Sequence, residues 1–191
     1  VFVTGIFGNI FRDKYLKEHS IVVKNESDTF FFNLSKSGSL NKEYLDKLFY
    51  NKNLINEFYS PVSLDELPFP DWENYTKIYP LRNNFFSLNE KIAIPLLGTR
   101  GCPYSCFNYC TYPLQQGRKV RARSVENIIS EIKYWQKTLG TNKFVFRDPV
   151  FSINRKHTIL FCEEVIRQKL NITFMVETHL NNLDDEMIKL L

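Results

Sequence analysis

Three short β-type runs, each followed by a helical pattern, fill the second half of the chain, and this alternation restricts the fold more than any other feature. The runs are Ile92-Ala-Ile-Pro-Leu-Leu97, Lys143-Phe-Val-Phe146 and Ile172-Thr-Phe-Met-Val176. Between the first two, Ser124 caps a segment in which Val125, Ile128, Ile129, Ile132 and Trp135 recur at helical spacing, and Gly140 supplies its stop. Between the second and third, residues 155–170 place Phe161, Cys162, Val165 and Ile166 on one helical face. A further helix begins near Asp184. Strands separated by a helix run parallel and are joined by crossovers. The predicted class is therefore α/β, and an open sheet or a barrel satisfies the pattern equally.

Loops at the carboxyl ends of parallel strands carry the chemistry of such folds. Here the first run leads into Gly98-Thr-Arg-Gly-Cys102, the second into Arg147, Asp148 and Pro149, and the third into Glu177, Thr178 and His179. These three ends are expected to converge on one mouth. Cys102, Cys106 and Cys110 fall within nine residues, whereas the fourth cysteine, Cys162, is far away on an apolar helix face and is expected in the core. Four cysteines in 191 residues are too few for a secreted disulfide framework. Three thiolates can hold an iron–sulfur cluster and leave one iron open. Zinc would need a fourth ligand, and the nearest candidates, His157 and Cys162, lie beyond a strand. Uncoordinated or redox-active thiols complete the alternatives.

The first half reads less regularly. Val1-Phe-Val-Thr4 and Ile21-Val-Val-Lys24 are β-type runs on either side of a helix-compatible stretch at 12–18. Residues 26–34 and 42–50 read as helices, the second with Asn41 available as its cap and apolar Tyr44, Leu45, Leu48 and Phe49. Across 51–89, Pro61, Pro68, Pro70 and Pro80 mix with Phe58, Tyr59, Phe69, Trp72 and Tyr75, as in an irregular connector anchored by rings. An apolar fraction of 43% with 15% aromatic residues excludes a disordered chain. A net charge of +4, from 25 basic and 21 acidic residues, does not indicate a nucleic-acid partner. Its one concentration, Arg118, Lys119, Arg121 and Arg123, reads as a solvated loop or as a clamp on an anionic substrate. No run approaches 18 uncharged apolar residues and the first residues lack a basic leader, so a soluble, cytoplasmic protein is expected. A chain beginning at Val1, with methionine only at 175 and 187 and a helix just begun at its end, is expected to be a piece of a longer protein.

The motifs at the strand ends resemble those of the radical S-adenosylmethionine enzymes. The resemblance rests on Gly98-Thr-Arg-Gly-Cys-Pro-Tyr-Ser-Cys106, Phe-Asn-Tyr-Cys110, Arg121-Ala-Arg-Ser-Val-Glu126 and Phe144-Val-Phe-Arg-Asp148. More narrowly, they are similar to the branch that carries a cobalamin-binding domain ahead of the radical domain. The family spaces its cysteines by three and then two residues, whereas here both gaps are three and Tyr109 stands where the last cysteine usually does. The resemblance implies that Cys102, Cys106 and Cys110 ligate a 4Fe–4S cluster whose open iron takes S-adenosylmethionine. It further implies that Tyr109 lies against the adenine and that Asp148, with Glu177 as a second candidate, accepts from the amino group. His179 is read as a loop histidine. An electron donor such as a flavodoxin or ferredoxin is implied, together with a small-molecule or peptide substrate. The implied fold is the end of a Rossmann-like cobalamin-binding domain over 1–50, a connector over 51–90, and the first half of a partial (βα) TIM-like barrel over 91–191. Cobalamin is implied for the intact protein only, because no cobalamin-ligating histidine motif is present and His19 lacks its context.

Overall fold

A computed structural model describes residues 2–4, 21–23, 26–37, 41–50, 62–78, 93–106 and 109–191. They form two compact units, Val1–Leu67 with Gly101–Val120, and Pro68–Arg100 with Arg121–Leu191. The helix-compatible stretch at 12–18 and His19 lie outside the described residues.

In the first unit, β1 (Phe2–Val3) pairs in parallel with β2 (Ile21–Val22). Two helices follow, α1 (Ser27–Lys36) and α2 (Lys42–Tyr50). As the sequence predicts, Asn41 caps α2, its Oδ1 accepting from the Tyr44 N–H at 2.9 Å. Ile21, Val23, Phe30, Leu34 and Leu48 form the core of this unit.

The described part of the connector, 62–78, is more ordered than its prolines suggest. Leu64–Glu66 is a 3-10 turn, and α3 (Trp72–Ile78) starts at Asp71, whose Oδ1 accepts from the Asn74 N–H at 3.1 Å. The segment after Pro70 holds no further proline until Pro80, and a Glu73–Lys77 pair at i,i+4 supports the helix. Phe69 and Trp72 pack on the core of the second unit, so the anchoring by rings holds for the part described.

The second unit is built on a parallel sheet of β3 (Ala93–Leu96), β6 (Lys143–Phe146) and β7 (Thr173–Met175), in the order β3-β6-β7. Phe144, Val145 and Phe146 are all buried in the central strand, which is why β6 after Lys143 is a continuous apolar run and does not alternate. Pro95, which has no N–H for the ladder, sits in β3 at one side of the described sheet. The crossovers are α5 (Val125–Leu139) and α6 (Arg155–Arg167). Ser124 accepts from the Asn127 N–H at the start of α5. Gly140 closes it in the left-handed region at φ 63°, where a side chain would be strained. Asn154 caps α6. Phe146, Phe151, Phe161 and Phe174 meet edge to face or tilted at 4.9–6.2 Å between centroids, fixing α6 to the sheet.

Between β3 and α5 the chain makes an excursion. An antiparallel pair, β4 (Thr99–Arg100) and β5 (Arg121–Ala122), forms its neck, and residues 101–120, containing the short helix α4 (Tyr112–Gln116), form its loop. The last helix, α7 (Asp185–Leu190), is capped by Asp184 and ends the described chain. No described helix is long and apolar enough to cross a membrane.

Candidate functional site

The loop at 101–120 carries the three clustered cysteines, and its base is fixed by backbone chemistry. Gly101 has φ 93°, and a Cβ there would meet the Lys119 carbonyl oxygen at 2.1 Å, so only glycine fits. Its N–H donates to Gln116 Oε1 at 3.1 Å, and the Cys102 N–H donates to the Gly117 carbonyl at 3.1 Å. Arg118 Nη1 reaches the Pro103 carbonyl at 3.3 Å and Ser105 Oγ at 3.0 Å. Farther along, the Tyr109 N–H closes a turn on the Cys106 carbonyl at 3.1 Å.

Cys102 is buried, Cys106 and Cys110 are half-buried, and no cysteine is in a disulfide. Tyr109 is 74% exposed, so its ring is open to a ligand. Among the described residues, no three His, Cys, Asp or Glu side chains gather closely enough to hold a metal ion. By residue type, three free thiols on one loop are the donors that an iron–sulfur cluster takes.

In the second unit the ends of β3, β6 and β7 meet. The Arg147 N–H donates to the Leu96 carbonyl at 2.8 Å, and Arg147 Nη1 pairs with Glu177 at 2.9 Å across the surface. The Phe151 N–H donates to the Glu177 carbonyl at 2.9 Å. Asp148 lies at the centre of this meeting and is 1% exposed. Its Oδ1 accepts from the Gly98 N–H and its Oδ2 from Thr99 Oγ1, both at 2.7 Å. Burial pushes the carboxyl up to about 6, against the opposing pull of the Gly98 and Thr99 hydrogen bonds and the more distant Arg123. Gly98 permits the close approach, since a Cβ there would sit 3.1 Å from Asp148 Oδ2.

The basic run does not behave as one patch. Arg123, whose side chain is 10% exposed, forms an ion pair with the buried Glu131 and donates to Asn127 Oδ1 at 2.7 Å and the Leu97 carbonyl at 3.0 Å. Its own N–H donates to the Gly98 carbonyl at 2.9 Å, and His157 Nε2 donates to the Arg123 carbonyl at 2.8 Å. Glu131 also accepts from Trp135 Nε1 at 3.3 Å. Sequence reasoning missed this network, although a signal was present. Glu131 falls three residues after Ile128 and four before Trp135, on the apolar face of its helix.

His179 is exposed and accepts at Nδ1 from the Asn181 N–H, which fits the loop reading. Cys162 lies in the core, where desolvation, helped by Glu163, pushes its thiol up to about 11. That thiol stays protonated near neutral pH, so a Cys162→Ala exchange is expected to cost packing alone, about 1–2 kcal/mol by denaturant unfolding.

Comparison with known proteins gives these sites a context. The chain is 25% identical over 174 residues to an uncharacterized methyltransferase of Pyrococcus horikoshii, a match covering 88% of this chain and 36% of that protein. It is 28% identical over 122 residues to the anaerobic magnesium-protoporphyrin IX monomethyl ester cyclase of Rubrivivax gelatinosus, covering 63% of this chain and 20% of the cyclase. In fold it is similar to TsrM from Kitasatospora setae, a radical S-adenosylmethionine methyltransferase solved with cobalamin and a 4Fe–4S cluster bound. That match has a TM-score of 0.51 and 18% identity and covers 70% of this chain and 24% of TsrM. The chain is thus similar in sequence to a methyltransferase and to an anaerobic cyclase, and in fold to a radical S-adenosylmethionine methyltransferase.

It spans about a third or less of the length of these relatives. A third relative by sequence, the bacteriochlorophyllide d C-12(1)-methyltransferase of Chlorobaculum tepidum, is 32% identical over 106 residues, covering 51% of this chain and 23% of that enzyme. No protein-family model matches the chain. Likeness to a radical S-adenosylmethionine methyltransferase thus rests on the parallel α/β fold, and likeness to methyltransferases on relatives by sequence.

Proposed function

We propose that this chain carries the cluster-binding part of a radical S-adenosylmethionine enzyme whose reaction class is methylation, with cobalamin as a second cofactor of the whole protein. The observation that carries the reading is the loop of three free thiols leaving the end of β3, in a chain whose relatives include methyltransferases. Cys102, Cys106 and Cys110 would hold a 4Fe–4S cluster, which when bound supplies the electron that cleaves S-adenosylmethionine. With its amide tied to Gly117, Cys102 is the fixed point of the set. The exposed ring of Tyr109 is available to stack on the adenine.

Of the two carboxylates at the strand ends, Glu177 has the access to receive an ammonium, its side chain being 58% exposed beside Arg147. Asp148 is buried with both oxygens engaged, and its part in this reading is to hold the Gly98–Thr99 turn from which the cysteine loop departs. In the same reading, residues 91–191 are the first half of a partial (βα) barrel and residues 1–50 the end of a Rossmann-like cobalamin-binding domain. A flavodoxin or ferredoxin would supply electrons, and the substrate would be a small molecule or a peptide.

Anaerobic reconstitution with iron and sulfide tests the assignment. The expected result is about four irons and four sulfides per chain with visible absorbance. Single Cys102→Ala, Cys106→Ala and Cys110→Ala exchanges are each expected to abolish retention, and Cys162→Ala to leave it intact. Stoichiometric zinc without visible absorbance, or retention of the cluster in all three single variants, would replace this reading with that of a zinc-binding or cofactor-free interaction module.

A further inference from the structure

Four consecutive residues, 116 to 119, contact the stretch from Gly101 to Ser105. Gln116 accepts from the Gly101 N–H through its side chain, and the Gly117 carbonyl accepts from the Cys102 N–H, each at 3.1 Å. Arg118 Nη1 spans the Pro103 carbonyl at 3.3 Å, the Tyr104 carbonyl at 3.5 Å and Ser105 Oγ at 3.0 Å. The Lys119 carbonyl fills the space that a side chain at 101 would need. Contacts of this kind fix backbone direction, since they tie two amides and two carbonyls of the cysteine stretch to one opposing segment.

We infer that residues 116–119 are a mould that shapes the first half of the cysteine loop before any cluster arrives, with Arg118 as its positioning residue. The inference rests on the cluster assignment proposed above, to which it adds the residues that set the geometry of the first ligand. Three thiolates close on a cluster with less loss of chain entropy if one of them is already placed. Cys102, at 5% exposure, is held in this way, while Cys106 and Cys110, beyond the reach of the mould, remain free to adjust. A guanidinium suits the task because its charge strengthens each bond to a carbonyl. Being exposed, it adds little to global stability.

Thiol alkylation of the cluster-free full chain, followed by anaerobic reconstitution, tests the mould. In the wild-type chain Cys102 should alkylate at least tenfold more slowly than Cys106 or Cys110. Arg118→Ala should raise the Cys102 rate severalfold, slow cluster uptake and speed loss of the cluster to a chelator severalfold, with the thermal midpoint unchanged. Arg118→Lys should restore part of each effect. Gly101→Ala, whose Cβ meets a backbone atom that cannot turn aside, should abolish the protection of Cys102. Failure of the wild-type chain to take up a cluster would overturn the functional reading and this inference together. Normal uptake with Cys102 as reactive as Cys106, or with Arg118→Ala indistinguishable from wild type, would overturn the inference alone.

Discussion

Replacing Glu131 with alanine is expected to destabilise the sheet-bearing unit by about 3–5 kcal/mol, the usual cost of leaving one half of a buried ion pair behind. Glu131 is 1% exposed and accepts from two donors, Arg123 Nη1 and Trp135 Nε1. Without it the Arg123 guanidinium keeps the Leu97 carbonyl and the Asn127 side chain but loses its counter-charge, and the indole N–H loses its acceptor. Urea unfolding of Glu131→Ala, Arg123→Met and the double variant measures the effect. The double variant should be less destabilised than the sum of the singles by about 2 kcal/mol or more, because neither half is then left uncompensated. A single-variant loss below about 1 kcal/mol would show that water reaches the pair. The same network ties α5 to the neck of the cysteine loop, since the Arg123 N–H donates to the Gly98 carbonyl. Its loss should therefore also lower cluster retention.

Asp148→Ala is expected to cost about 2–4 kcal/mol, because the Gly98 N–H and the Thr99 hydroxyl lose their shared acceptor in a place closed to water. The native carboxyl also imposes a pH dependence. Its folded value of about 6 lies above the ordinary 3.8, so between these values the folded chain holds a proton that the unfolded chain has released. The stabilising contribution is complete below about pH 4 and is lost as pH rises through 6, a change of about 3 kcal/mol at most. Asp148→Asn keeps an acceptor for Gly98 and can donate to Thr99 Oγ1, so its stability at pH 7 should lie above that of the alanine variant. The difference between wild type and Asp148→Asn should slope downward from pH 4 to 6 and flatten above 7. A flat difference across that window would mean that Asp148 is already ionised at pH 4.

Several elements were legible in the sequence because their signals are local. Ser124 and Gly140 mark the ends of α5 by capping oxygen and left-handed backbone, Asn41 marks the start of α2, and the apolar run at 144–146 marks a strand covered on both faces. The helix after Pro70 was hidden because prolines and rings dominate the composition around it, whereas a capping Asp71 and a Glu73–Lys77 pair decide the local conformation. For the candidate site, residue type and spacing singled out Cys102, Cys106 and Cys110, and strand ends singled out Asp148 and Glu177. They could not tell that Asp148 turns inward while Glu177 turns toward solvent, because that depends on how closely the backbone at Gly98 approaches.

The sequence by itself thus determined the strand and helix alternation, the parallel class of the sheet and the loop that bears the thiols, since each follows from periodicity, caps and neighbouring residues. Only the tertiary structure decided the roles of the polar residues around that loop. It divided the basic run into Arg123, buried against Glu131, and Arg118, laid across the cysteine stretch, and it showed why position 101 must be glycine. Burial, and the partner each charge finds there, depends on residues distant in the chain, which local pattern does not record.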